Sequence, residues 1–93
     1  MMNLTQNELK VVRYMAEEAM DACCADDVRE AEADYCAPCT VAELTRNAGS
    51  LTVAQMRGVC TSLQEKGVIQ YDEEDRAYWL TPAGFNKAEA LLG

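Results

Sequence analysis

Thr5-Gln6-Asn7-Glu8, Thr40-Val41-Ala42-Glu43 and Thr52-Val53-Ala54-Gln55 spell the same helix start three times in a chain of 93 residues. In such a capping box the Thr hydroxyl accepts the N3 backbone N–H, and the N3 Glu or Gln reaches back to the cap's own N–H. Thr81-Pro82 is a fourth start by another rule, because Pro at N1 needs no hydrogen bond and presets φ. Each cap is flanked by an apolar residue just before it and another at N4: Leu4/Leu9, Cys39/Leu44, Leu51/Met56 and Leu80/Phe85. These are hydrophobic staples, and they fix the angle at which the chain enters each helix. A chain this short with four fixed helix starts has room for one small, mostly helical domain over residues 1–93.

The apolar periodicity fills in the segments. A first helix from Thr5 carries Leu9, Val12, Met15 or Ala16, Ala19 and Cys23 on one stripe. A second is short, about Val41–Asn47, and stops before Gly49. A third runs over Val53–Lys66 with Val53, Met56, Val59, Cys60 and Leu63 inward, and Gly67 is its natural stop. A fourth covers Pro82–Leu92 with Phe85, Ala88 and Leu92 inward. Between the last two, Val68–Tyr71 and Arg76–Leu80 are β-prone runs joined by Asp72-Glu73-Glu74-Asp75, which predicts a hairpin. The fold class is α+β, mostly α.

Helix, short helix, tight turn, helix, hairpin, helix is the order of a winged helix-turn-helix. Leu4-Thr5, Glu8-Leu9 and Val12 resemble the first helix of MarR-type winged-helix regulators, and Thr40-Val41-Ala42-Glu43-Leu44 is similar to their second. Leu63-Gln64-Glu65-Lys66-Gly67-Val68-Ile69, Asp75-Arg76 and Leu80-Thr81-Pro82-Ala83-Gly84 resemble their recognition-helix exit, wing and final helix start. The likeness covers Leu4–Met15 and Thr40–Leu92. It leaves an insert, about 17–39, between the first two helices. The resemblance implies a three-helix core with a β-hairpin wing and a C-terminal helix, and a homodimer that reads double-stranded DNA in transcription regulation. The family builds its dimer with extra terminal helices, for which this chain has little room.

Carried over position by position, the third helix presents Ala54, Gln55, Arg57, Gly58, Thr61 and Ser62 to the major groove. Gln55 suits adenine and Arg57 guanine, Thr52 and Thr61 suit phosphate, and Arg76 matches the wing arginine. The charge pattern pulls the other way. The chain has 16 acids, 8 bases, no histidine and a net charge of −8. Four consecutive carboxylates at the wing tip oppose a phosphate backbone. The acidity is local, however. Residues Glu17–Asp34 hold eight acids against Arg29, a net of −7. Residues 35–69 carry Arg46, Arg57 and Lys66 against Glu43 and Glu65, a net of +1.

That acidic insert supports a second reading, in which the fold is a protein-interaction module that does not bind DNA. Asp26, Asp27, Glu30, Glu32 and Asp34 would meet a basic protein partner, as in a phage or mobile-element inhibitor of a nucleic-acid-binding host protein. A short helix over Asp26–Asp34 would place Val28, Ala31 and Tyr35 on one side. The plain alternative is a solvated face that keeps a small protein apart from its neighbours.

Four of the five cysteines, Cys23, Cys24, Cys36 and Cys39, fall in or beside the insert. As a zinc set they have one C-x-x-C half, while adjacent Cys23 and Cys24 diverge by about 100° on a helix. Cys36-Ala37-Pro38-Cys39 is similar to the thioredoxin-type redox motif, but no strand precedes it. The favoured reading is apolar packing for Cys23 and Cys39, with Cys60 in the core and no metal or cofactor. A zinc- or thiol-responsive switch is the third reading. Without histidine there is no Ser–His or Cys–His constellation, so an enzyme is not expected. No signal-peptide pattern or membrane-length apolar run occurs, which favours the cytoplasm with reduced thiols.

Overall fold

The computed structural model describes residues 4–22, 24, 26–33 and 38–92; the side chains of residues 32, 33 and 92 lie outside that description. The elements are α1 (Gln6–Ala22), α2 (Val28–Ala33), α3 (Val41–Asn47), α4 (Val53–Glu65), β1 (Ile69–Asp72), β2 (Ala77–Leu80) and α5 (Pro82–Leu92). The class is α+β and mostly helical, with five helices and one antiparallel hairpin among the described residues. None of the helices is long and apolar enough to cross a membrane.

The helix starts behave as their sequences dictate, with one variation. Glu8 N–H donates to Thr5 Oγ1 and Gln55 N–H to Thr52 Oγ1, and both N3 side chains reach back to the cap N–H, at 2.8 and 2.9 Å. At α3, Glu43 N–H donates to Thr40 Oγ1, but the Glu43 carboxylate accepts instead from Tyr14 Oη at 2.9 Å, tying α3 to α1. Thr81 Oγ1 accepts from Gly84 N–H and itself donates to the carbonyls of Gly67 and Val68. The exit of α4 is a Schellman motif. Val68 N–H donates to Leu63 O and Gly67 N–H to Gln64 O, with Gly67 at φ 74°.

The core gathers Val11, Val12, Met15, Ala16 and Ala19 of α1 against Leu44, Met56, Cys60, Leu63, Val68 and Phe85. From the insert, Val28 and Ala31 are buried and α2 packs on α1 and α5, so this segment contributes to the core as well as carrying charge. Tyr35, expected on the same side, lies outside the described residues. Cys39 forms an isolated antiparallel bridge with Tyr78, exchanging two backbone bonds of 3.0 and 2.8 Å. Tyr78 therefore turns its own N–H and C=O away from β1, and its pair with Tyr71 is the close, non-hydrogen-bonded kind, with ring centroids 5.0 Å apart.

Two expectations are corrected. Val53, which its spacing puts on the inward stripe, is 45% exposed, because as the first residue of α4 it stands beyond the end of the core. Ser62, which the helical wheel puts outward, donates its hydroxyl to Glu8 at 2.8 Å across the α1–α4 contact. Glu8 itself is only 2% exposed. Besides Ser62 and the Thr5 N–H, it accepts from Lys66 Nζ at 2.7 and 3.0 Å. Burial pushes this carboxyl up, but Lys66 and the hydrogen bonds from Thr5 and Ser62 outweigh it and hold the group down at about 2 rather than 4.5.

This packing can be tested at two places. A Cβ at Gly84 would collide with the Val68 carbonyl oxygen, whereas one at Gly58, mid-helix, would meet nothing within 4 Å among the described residues. Gly84→Ala should lower stability in denaturant titrations by about 1–3 kcal/mol, and Gly58→Ala should raise it by up to about 1 kcal/mol. Because Glu8 has a depressed folded pKa, its contribution is complete above the ordinary carboxyl range and is lost as pH falls from 4.5 towards 2. Glu8→Gln should cost about 2–3 kcal/mol at neutral pH, and unfolding followed by circular dichroism should show a flatter acid limb between those pH values.

Candidate nucleic-acid interface

The sequence nominates five DNA-contacting residues, and the structure separates them into two groups. Arg57 and Thr61 of α4 and Arg76 of the hairpin turn line one cleft of about 350 Å³, together with Val41, Tyr71 and Tyr78. Thr52 and Gln55 sit at the start of α4 and are joined to each other by the capping box. Successive residues Val53, Arg57 and Thr61, four apart, follow one line along α4, so the exposed first turn continues directly into the cleft.

Hydrogen bonding limits what each group can do. Gln55 Oε1 accepts from Thr52 N–H at 2.9 Å, which draws the amide back over the helix start. Adenine needs that oxygen and the amide nitrogen together, so base reading by Gln55 competes with the cap. Thr52 Oγ1 accepts one N–H and keeps its own proton for a phosphate oxygen. Thr61 has given its hydroxyl proton to the Arg57 carbonyl at 2.9 Å, leaving only lone pairs towards the cleft. Phosphate oxygens accept but do not donate, so Thr61 contacts one only by turning its rotor.

The arginines are the distinctive members. Among the described residues neither Arg57 nor Arg76 has an ion-pair partner, and no carboxylate lines their cleft. Three other cations are paired, Lys66 with Glu8, Arg13 with Glu17 and Arg29 with Glu89. Lys10 and Arg46 also have no ion pair among the described residues, but they do not share a cleft with a second cation that lacks one. Arg76 adopts φ 51°, a left-handed conformation that Gly or Asn takes more readily. Tyr78 is almost fully buried behind the arginines, and its hydroxyl is pushed up mainly by burial, with Arg57 opposing.

The acidic tip has one carboxylate with a role in the turn and three that face solvent. Asp72 is the last residue of β1, and its Oδ1 accepts from the N–H groups of Glu74 and Asp75, so this carboxylate closes the turn. Glu73, Glu74 and Asp75 remain exposed at the turn.

The insert's acids also have local roles. Asp27 Oδ1 accepts from Glu30 N–H, and Glu30 Oε2 from Asp26 N–H, so these three start α2. Arg29 joins the Glu89 carboxylate at 2.6 Å and Asn86 Oδ1 at 2.5 Å, clamping α2 to α5. Glu32 belongs to α2, and Asp34 lies outside the described residues.

Of the zinc candidates, Cys23 and Cys36 lie outside the described residues. Cys24 is exposed and Cys39 fully buried. Among the described residues no group of three or more His, Cys, Asp or Glu is placed to hold a metal. Burial, then the Glu43 carboxylate, pushes the Cys39 thiol up to about 12, and burial pushes Cys60 up to about 11. Both are packing thiols with little thiolate at neutral pH.

No family model, curated protein or solved structure matches this chain.

The thiol environments predict a partition of reactivity. In brief native alkylation at neutral pH, peptide mass spectrometry should find Cys24 modified and Cys39 and Cys60 protected, with both becoming labelled in denaturant. Equal labelling of Cys24 and Cys39 without denaturant would contradict the burial described above.

Proposed function

We propose that this chain is a small winged helix-turn-helix DNA-binding protein, MarR-like in its core, that acts as a transcriptional regulator. In this reading α1, α3 and α4 are the three-helix core, α4 is the recognition helix, the β1–β2 hairpin is the wing and α5 the C-terminal helix. The added α2 lobe braces α1 and α5.

One observation carries the reading. In a chain with 16 acids and 8 bases, two arginines from separate elements share a cleft that, among the described residues, has no carboxylate in its lining. Two cations that share one cleft without a carboxylate between them are suited to an external anion. Its position between the exposed face of α4 and the hairpin matches where a helix-turn-helix meets the duplex backbone and base edges. The small Ala54 and Gly58 beside it let a duplex come close.

Binding should be measured by fluorescence anisotropy on a pool of random duplexes at several salt concentrations. Affinity should fall steeply with salt, and Arg57→Ala with Arg76→Ala should remove most of it. Each arginine that neutralises a phosphate should, on replacement, reduce the log–log salt slope by about 1. Failure to retain any duplex at low salt would end this reading. Recovery of a basic protein in its place, released by charge reversal at Asp26, Asp27 and Glu30, would establish the acidic lobe as the functional surface.

A further inference from the structure

The DNA reading leaves open which bases α4 recognises, and three observations on its exposed face narrow the choice. Val53, at the first helical position, is 45% exposed, one of three large apolar side chains this open among the described residues. Arg57 stands one turn further along the same exposed line, where it lines the cleft with Thr61 and Arg76. Between them and the α1 contact lie Ala54 and Gly58, and nothing among the described residues comes within 4 Å of where a Gly58 Cβ would be. Gln55, the other polar candidate, is held by the capping box.

We propose that α4 reads a thymine and a guanine lying within two base pairs of each other, with Val53 against the thymine 5-methyl group and Arg57 on guanine O6 and N7. This rests on the DNA-binding reading above. The chemistry follows from the major-groove edges. Thymine alone offers a methyl group there, and a planar guanidinium matches the two acceptors of guanine. The spacing follows from helix geometry. Four residues rise about 6 Å, less than two base-pair steps of about 3.4 Å each. Gly58 supplies the close approach: a side chain there would stand between the helix and the groove floor. An exposed Val and a mid-helix Gly each serve poorly in an isolated domain, and both serve this contact.

Selection from the random duplex pool with the full chain, followed by sequencing, should enrich sites with thymine and guanine within two base pairs. For a selected site, replacing every thymine by deoxyuridine removes only the methyl groups and should weaken binding about fourfold, the equivalent of one buried methylene-sized group. Replacing guanine by 7-deazaguanine should cost roughly 5- to 150-fold. Val53→Ala should bind the thymine and deoxyuridine sites equally, and Arg57→Ala should become indifferent to 7-deazaguanine. Gly58→Ala should weaken binding severalfold while melting no lower than the parent. Thermal melts of Val53→Ala and Arg57→Ala, both exposed positions, should match the parent, so that weaker binding reports on the interface and not on folding.

Duplex binding that is unchanged by deoxyuridine, or a Val53→Ala variant as sensitive to it as the parent, overturns the thymine–guanine assignment while leaving DNA binding standing. Absence of any duplex binding overturns both.

Discussion

Glu8 is the interaction on which the arrangement of α4 depends. A carboxylate 2% exposed would be costly to bury alone, and three neighbours make it favourable: the Thr5 N–H, the Ser62 hydroxyl and the Lys66 ammonium. The first is local to α1, whereas Ser62 and Lys66 belong to one side of the last turns of α4 and its cap. Glu8 therefore couples a helix start to a helix end more than fifty residues away. Because Ser62 and Lys66 must face α1, the rotation of α4 about its own axis is fixed. Its opposite side, with Arg57 and Thr61, is turned towards the hairpin and solvent.

A second junction sets where the hairpin stands relative to that face. The Val68 carbonyl accepts from both the N–H and the hydroxyl of Thr81, and Gly84 lies against it with no room for a Cβ. The exit of α4, the return from β2 and the start of α5 thus converge on one backbone group. On the far side, Cys39 extends the pairing of β2 and brings Val41 to the cleft. The cleft that gathers Arg57, Thr61, Arg76 and the two tyrosines is consequently framed by these junctions, even though its members come from three separate parts of the chain.

How much of this was legible in the sequence depended on range. The caps were readable because each is closed within four residues: the spans of α3 and α5 and the stop at Gly67 agree with the residues that specify them. The hairpin forms with its turn one residue later than expected, at 73–76, so that Asp72 ends β1 and Arg76 falls in the turn. The inner stripe of α1 was less complete, since Val11 and Glu8 are buried too, and Glu8 already had a visible role as a capping residue. Nothing local shows that Glu8 is also the partner of Ser62 and Lys66, because that pairing exists only once α1 crosses α4. Val53 was misplaced for a related reason. Its spacing fits the inward stripe, but periodicity does not show where the core ends. Of the nominated contacts, Arg57, Thr61 and Arg76 come together in one cleft, while the hydrogen bonds restricting Gln55 and Thr61 depend on rotamers and not on residue type. The cap at Gln55 is the instructive case, since the same T-x-x-Q spelling that revealed the helix start also holds the glutamine there.

The residues that go against their local preferences give the sharpest indication of where function resides. Gly67 and Gly84 are each required, one by a left-handed φ and the other by the Val68 carbonyl. Gly58 is required by nothing among the described residues and weakens α4 by about 1 kcal/mol relative to Ala. Of the two non-glycine residues with positive φ, Cys24 follows the end of α1, where a left-handed residue is a common way out of a helix. Arg76 ends the hairpin turn, where Gly or Asn would relieve about 1–2 kcal/mol of strain. A chain that only had to fold would have no use for a glycine in mid-helix or a strained arginine in a turn. Arg76 occurs on the face formed by α4 and the hairpin, and Gly58 on the adjoining α1 side of α4. Several acids, in contrast, have structural roles: Asp26, Asp27 and Glu30 start α2, Glu89 clamps it to α5 and Asp72 closes the turn. Part of the acidic charge is thus structural, and the strained Arg76 lies on the side that carries the open arginines.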